Sequence, residues 1–392
     1  MANRDIRIGV LATLIGPFIT MGEDALRGLR LALAEVDGKI GDRNIQVIVE
    51  STNAIPASAI SQLEKLIDRD KVDLTIGPLS GNELLAVREF AAEMPGRVFV
   101  NGCAGAPDVM LPNTPKNFFS FSANGVQLIA GLGTYAYETL GIRRVVTLAE
   151  DYSYPHSQVG GFVLDFCRTG GTIVDKYWVP LGTSNFSDII QNLPQDIDGI
   201  FVALAGADAV EFFRQLEDFD MQIPLITGSS TLDPTVLTFI TSLPRLALGA
   251  RSANSVAQNI PVPMWDSFLN AYRETYRDGL VYPSLFALGY YLNTRAVILA
   301  LQAVDGDLDN HYNEFRRALA TLEFDSPTGR VRLDEFNQLI ANIYVTQLEK
   351  SAEGHYFNRV VRAFPGVSQT LGMSIDEYLA LGPFSRDNPA CV

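Results

Sequence analysis

Apolar residues follow two rhythms along this chain, and the two alternate. "IRIGVLATL" (6–14) and "IQVIVE" (45–50) read as buried strands, and between them Leu26, Leu29, Leu33 and Val36 recur at helical spacing. The first element group is therefore strand–helix–strand. A helix follows over 57–69 with Ile60, Leu63 and Ile67, then a strand at "VDLTIG", a helix over 82–93 and a strand at "RVFVNG". Strands separated by helices of such length predict a parallel sheet covered on both faces.

A loop rich in Pro and Gly, "CAGAPDVMLPNTPKN" (103–117), and a short run, "FFSFSAN", break the series, and then it starts again. Helices are predicted at 124–140, 156–169, 186–193 and 207–219, with strands at "RRVVTLAED", "TIVDKYWV", "IDGIFVALAG" and "PLITGSS". This is a second lobe built like the first. After "LALGARSANSV" come helical patterns at 263–278, 284–303 and 311–322, and a strand pair across "GRVRLDEFNQLIANIYVTQLE". The late helices have no strands of their own in sequence. They must complete a sheet built earlier, so the chain has to cross between lobes more than once.

Composition adds exclusions. A length of 392 residues exceeds the usual ~100–200 of one domain, which agrees with two lobes. With 47% hydrophobic and 19% charged residues, the chain has the composition of a globular protein. Its net charge of −15, without a basic stripe, suits phosphate backbones and anionic lipid poorly and excludes nucleic acid as a partner. No stretch reaches the ~20 apolar residues of a membrane span, and "MANRDIRIGV" enters a strand pattern at once. Two origins stay open: a cytoplasmic protein, or one whose targeting segment was removed and replaced by a Met. Cys103, Cys167 and Cys391 are odd in number and lack metal spacing, so neither a disulfide framework nor a zinc site is expected.

In parallel α/β sheets ligands bind beyond the carboxyl ends of the strands. Those ends are Gly77–Gly81 and Asn101–Gly105 in the first lobe, and Glu150–Tyr154, Ala205–Gly206 and Thr227–Thr231 in the second. They are mostly small, hydroxylic or aromatic. Catalytic motifs fit poorly. The order Gly77-Pro78-Leu79-Ser80-Gly81 is not a nucleophile elbow, which needs Gly-x-Ser-x-Gly. A pairing of Ser80 with His156, His311 or His355, as in an α/β hydrolase, stays open as the enzyme alternative. Neither dinucleotide nor P-loop glycine patterns occur. "DGDLDN" (305–310) resembles the start of a calcium loop, but Asn310 and Arg316 stand where Gly and Glu belong, and a solvated loop is expected. In "AEDYSYPHSQVGGF" (149–162), Tyr152 and Tyr154 offer flat faces with hydroxyls, suited either to clamping a small amphipathic ligand or to packing the lobe.

Several segments together resemble the solute-binding proteins of branched-chain-amino-acid-type ABC transporters, the leucine-binding-protein-like type I periplasmic binding proteins. They are "IGVLATLIGPFITMGEDALRGLRLALAEVDG", "IGPLSG", "EDYSYPHSQVGGFVLDFCRTGGTIV", "ADAVEFFRQLEDF" before "IPLITGSS", and "YPSLFALGYYLNTRAVILALQAV". The resemblance implies two similar α/β lobes, each a parallel sheet flanked by helices, joined by a three-crossing hinge and closing on a ligand without chemistry. The lobes are then expected at 1–121 plus 254–329 and at 122–253 plus 330–392, with crossings near Ser120–Asn124, Gly249–Asn254 and Gly329–Arg332.

Family positions carry over residue by residue. In amino-acid-binding members the ligand carboxylate is held by hydroxyls and N–H groups of two loops, matching 79–81 and 103–105. Here those offer Ser80, Gly81, Cys103, Ala104 and Gly105, with glycine at the positions that bear hydroxyls elsewhere. Tyr152, Tyr154 and Phe286 match aromatic contacts, and Met21 falls where an aromatic often closes the site. Ala205, Gly206, Ser229 and Ser230 complete the expected ligand set. The acid that meets the ligand ammonium normally lies in the loop matching 228–231, which reads Gly-Ser-Ser-Thr; Asp151, Asp208 and Asp233 are near enough in sequence to replace it. The tail "GVSQTLGMSIDEYLALGPFSRDNP" resembles a subset of the family associated with aromatic carboxylates.

The expectation is an extracytoplasmic receptor, periplasmic or cell-surface with its signal segment removed. It would be a non-enzymatic monomer that binds a small aromatic or other carboxylate and delivers it to an inner-membrane ABC permease, with no cofactor or metal. A classical apolar amino-acid binder and a cytoplasmic amide-sensing regulator of the same fold are the alternatives.

Overall fold

The computed structural model describes residues 4–111, 114–219, 223–240 and 247–391. Pro112 and Asn113 of the expected loop, Leu246 at the head of "LALGARSANSV" and residues 1–3 lie outside them. Two compact units emerge: unit 1 holds the residues up to Asn124, Val262–Gly279 and Pro283–Ile340, and unit 2 holds Gly125–Pro261, Leu280–Tyr282 and Ala341 onward.

Unit 1 begins with β1 (Ile6–Thr13), α1 (Ile19–Ala34), β2 (Lys39–Ile40), β3 (Arg43–Thr52) and α2 (Pro56–Glu64). It continues with β4 (Leu74–Ile76), α3 (Gly81–Glu93), β5 (Val98–Val100) and β6 (Phe118–Phe119). The sheet order is β2-β3-β1-β4-β5-β6, parallel throughout except at the β2–β3 edge. Central strands have both faces covered, which is why they read as unbroken apolar runs. Leu11, Leu63, Val87, Phe99 and Phe118 belong to one core beneath α2 and α3.

Unit 2 opens with α4 (Gly125–Leu128), α5 (Leu132–Glu138), β7 (Arg144–Glu150), α6 (Ser153–Arg168) and β8 (Thr172–Val179). Next come α7 (Ser187–Gln191), β9 (Gly199–Ala203), α8 (Gly206–Leu216), β10 (Leu225–Thr227), α9 (Pro234–Leu237) and β11 (Arg251–Asn254). The chain then supplies unit 1 with α10 (Pro263–Thr275), α11 (Leu285–Ala303), α12 (Asn313–Ala320) and the hairpin β12 (Phe324–Ser326) and β13 (Gly329–Val331). It ends in unit 2 with β14 (Ala341–Lys350), β15 (Tyr356–Val367) and α13 (Ile375–Ala380). The second sheet runs β15-β14-β11-β10-β9-β7-β8, parallel from β11 to β8 and antiparallel over β11, β14 and β15.

The alternating strand–helix reading therefore holds, and each sheet gains antiparallel edge strands. Other details differ. The single helix expected over 124–140 is two, α4 and α5, because Gly131 turns left-handed at φ 77° and a Cβ there would come within 2.2 Å of the Phe364 ring. The strand pair expected across 329–349 is split, with β13 folding back on β12 while β14 pairs with β15. β15 escaped prediction because it is a half-exposed edge strand carrying Arg359 and Arg362, with no apolar alternation. The chain exchanges units at 124/125, 261/262 and 340/341, and residues 280–282 are a short return to unit 2 within the second unit 1 stretch. β11 stays in unit 2 because it hydrogen-bonds β10 and β14, and 330–340 stays in unit 1, where Ser120 bridges Gln338.

Cysteine arithmetic misled. Cys167 on α6 and Cys391 in the tail form a disulfide across 224 residues, leaving Cys103 as the buried free thiol. The odd count had argued against a disulfide framework, and only the fold brings tail and helix together.

Candidate functional site

In unit 1, two loops at the carboxyl ends of β4 and β5 lie against each other. Gly77 leaves β4 at φ 127°, the N–H of Cys103 donates to the Pro78 carbonyl at 3.3 Å, and a Cβ on Gly102 would stand 2.6 Å from the same oxygen. Ser80 is the extended residue before α3; it is buried and its hydroxyl does not cap the helix. Gly81 opens that helix. Ala104 is fixed by the Asn101 amide, which accepts from its N–H at 3.1 Å and donates to its carbonyl at 2.8 Å. The Cys103 thiol faces the Leu285 carbonyl at 3.5 Å, against Gly289 of α11, and Gly105 follows, buried. Met21 and Phe286 sit in the first turns of α1 and α11 and are both buried.

Glu83, in the first turn of α3, is wholly buried, and neither carboxyl oxygen has a hydrogen-bond partner. Loss of hydration raises its pKa to about 7, only partly offset by the nearby Thr52, Ser80, Ala54 and Thr13.

In unit 2 the carboxyl ends of β7, β9 and β10 surround a small hollow. Its lining includes Glu150, Tyr154, Gln158, Ala205, Ser230 and Thr231. Gln158 of α6 organises the wall: its Oε1 accepts from the Ser229 N–H at 2.8 Å, and its Nε2 donates to the Ser229 hydroxyl at 3.1 Å. A Cβ on Gly228 would lie 2.4 Å from that Oε1, so any larger residue there would displace the Gln158 amide. The Tyr154 hydroxyl meets those of Ser229 and Ser230. Thr231 holds the carbonyls of Val202 and Leu204 at 3.0 and 2.8 Å. Gly206 starts α8 at φ 53°.

The expected residues thus gather on the carboxyl edge of each sheet, while their side chains divide. Tyr154, Ala205 and Ser230 line the hollow; Ser229 lies behind it, and Tyr152 sits beside the Glu150 carboxyl. The three aspartates that were candidates for an ammonium partner are engaged elsewhere. Asp151 pairs with His156 at 2.9 Å and with Arg386, which together hold its pKa below the ordinary value. Asp208 accepts from the N–H groups of Gly182 and Thr183 at 2.8 and 3.1 Å, and Asp233 caps α9 by accepting from Thr235. Glu150, Gln158 and Thr231 were not singled out. The strand-end rule had already marked Glu150, the last residue of β7, and Thr231, but the acids weighed for the ammonium were Asp151, Asp208 and Asp233.

Among the described residues no cluster suits a metal ion, and no helix is long and apolar enough to cross a membrane.

Comparison with known proteins agrees with this architecture. An ABC transporter substrate-binding protein from Sphaerobacter thermophilus is 32% identical and superposes with a TM-score of 0.84, covering 92% of this chain and 98% of that one. A solute-binding protein of Rhodopseudomonas palustris, solved in complex with 3,4-dihydroxybenzoic acid, is 23% identical with a TM-score of 0.85, covering 94% and 99%. The Leu/Ile/Val-binding protein homolog 6 of Brucella melitensis is 24% identical over 92% of this chain and 91% of its own. A sequence profile for periplasmic binding proteins matches residues 5–353, and with that span and these folds the chain belongs to the periplasmic binding protein family, among the ABC transporter substrate-binding proteins.

Proposed function

We propose that this chain is the extracytoplasmic receptor of an ABC uptake system, that it binds a small aromatic carboxylate, and that it passes the ligand to an inner-membrane permease without chemical change. The observation that carries the ligand class is the engagement of Asp151, Asp208 and Asp233 in structural bonds, beside a hollow walled by Tyr154 and hydroxyls. An unpaired ammonium would cost several kcal/mol in such surroundings. The complex of the Rhodopseudomonas palustris protein with a dihydroxybenzoic acid supports this reading.

In unit 1 the proposed contacts are Ser80, Gly81, the 103–105 backbone, Met21 and Phe286. In unit 2 they are Tyr152, Tyr154, Ala205, Gly206, Ser229 and Ser230. Ser80 is then a hydrogen-bonding group rather than a nucleophile. His156 is bound to Asp151 and packed edge-on against Trp178, while His311 and His355 are exposed. The Cys167–Cys391 bond suits a periplasmic or cell-surface location and stands against a cytoplasmic regulator. We take the receptor to act as a monomer.

The amino-acid reading keeps support from the Brucella homologue and from one buried acid, Glu150. A thermal-shift panel of hydroxybenzoates, phenylpropenoates and the twenty amino acids separates the two. Stabilisation by a ring acid is expected; stabilisation by aliphatic amino acids alone would overturn the ligand class.

A further inference from the structure

Glu150 is placed unlike the other acids of unit 2. It ends β7, is 0% exposed, and lines the hollow together with Tyr154, Gln158 and Thr231. One oxygen, Oε1, accepts the Ala205 N–H at 3.0 Å; the other, Oε2, is buried with no hydrogen-bond partner. Its charged neighbour is a second carboxylate, Asp208 at the start of α8, and the groups facing it from the start of α6 are the phenols of Tyr152 and Tyr154. An ionised carboxylate here would hold the Ala205 N–H, have the Tyr152 phenol beside it and meet no cation, and burial outweighs these two donors, so the proton is retained. Burial first, and the Asp208 charge second, raise the Glu150 pKa well above that of an ordinary glutamate.

We propose that Glu150 is a specificity-determining residue whose Oε2 carries a proton and donates a hydrogen bond into the hollow, to an oxygen atom of a ring acid. This deepens the ligand reading above and rests on it. A neutral carboxyl has one acceptor oxygen and one donor hydroxyl, and the Ala205 N–H already occupies the acceptor. What remains is a donor, which matches the oxygen of a carboxylate or phenol and opposes the N–H groups of an ammonium. Glutamine reproduces the pair, with a carbonyl for Ala205 and an NH₂ facing the hollow. Alanine removes both.

The test uses benzoate, 4-hydroxybenzoate and leucine as probes, with calorimetry on wild type, Glu150→Ala and Glu150→Gln. Glu150→Ala is expected to weaken ring-acid binding by about tenfold or more, and Glu150→Gln to recover most of that loss. In the ligand-free protein near neutral pH, the infrared difference between wild type and Glu150→Gln is expected to show the C=O band of a protonated carboxyl. An ionised carboxylate band in its place overturns the proposal, as does a Gln variant as weak as Ala. A wild type that binds leucine and neither ring acid overturns the ligand reading on its own. Abolition of that leucine binding in Glu150→Gln would then make Glu150 the ionised partner of an ammonium, and the proposal falls too. Where no probe binds, the infrared band alone decides for or against the protonated donor.

Discussion

Glu83 lets a single carboxyl set a window of stability. Its folded pKa of about 7 lies above the ordinary 4.5, so between those values the native state binds more protons than the unfolded one, and stability falls as pH rises. The whole shift corresponds to about 3 kcal/mol, lost by about pH 8. Urea unfolding of Glu83→Gln is expected to show a flatter pH dependence than wild type over this range, by roughly that amount. Equal slopes would mean that Glu83 is not held neutral. Tyr154 tests the proposed contact instead. Tyr154→Ala is expected to weaken ligand binding at least tenfold, in line with the roughly 2–4 kcal/mol of an aromatic hot spot. Tyr154→Phe, which keeps the ring and loses the hydroxyl bonds to Ser229 and Ser230, is expected to cost about 1 kcal/mol of stability while keeping most of the affinity. Unchanged affinity in Tyr154→Ala would mark the ring as packing alone.

At the scale of elements, α1 and α11 approach so closely that Gly28 admits no side chain: a Cβ there would lie 1.8 Å from the Ala287 carbonyl oxygen. Asp24, one turn earlier and fully buried, accepts from the Tyr272 hydroxyl of α10, from the N–H and hydroxyl of Ser284 at the head of α11, and from Arg27. The helices that arrive last in sequence are thus fastened to the first helix of unit 1. Gly28→Ala must push two backbones apart and is expected to destabilise the protein by about 1–3 kcal/mol, read by urea unfolding. A neutral result would show that the helices can separate at no cost.

For the whole molecule, the tail is the feature with a measurable hold. Arg386 pairs with Asp151, Lys176 donates to the Pro389 carbonyl at 2.9 Å, and Cys391 is bonded to Cys167. The disulfide closes a span of 224 residues, and bonds across long spans typically contribute about 2–5 kcal/mol. Cys391→Ser is expected to lower unfolding free energy within that range and to expose Arg386 to trypsin. If stability and cleavage both match wild type, the ion pair and carbonyl contacts hold the tail by themselves.

What the sequence determined is everything that local periodicity encodes. Buried parallel strands are apolar on both faces and their covering helices on one, so both alternating series and the strand ends at Ser80, Tyr154 and Ser229 were legible before any fold was known. Tertiary structure decided what depends on distant partners. β15 is a strand because β14 offers it hydrogen bonds, and Gly131 breaks a helix because Phe364 fills its space. The odd cysteine count resolved only when the tail met α6. The same holds for charge. In sequence, Asp151, Asp208, Asp233 and Glu150 are equivalent acids near the right loops; which of them lines the hollow depends on donors 25 to 235 residues away in the first two cases, and on burial beside Ala205 in the last. Ionisation follows solvation and neighbours, and those exist only once the chain has folded.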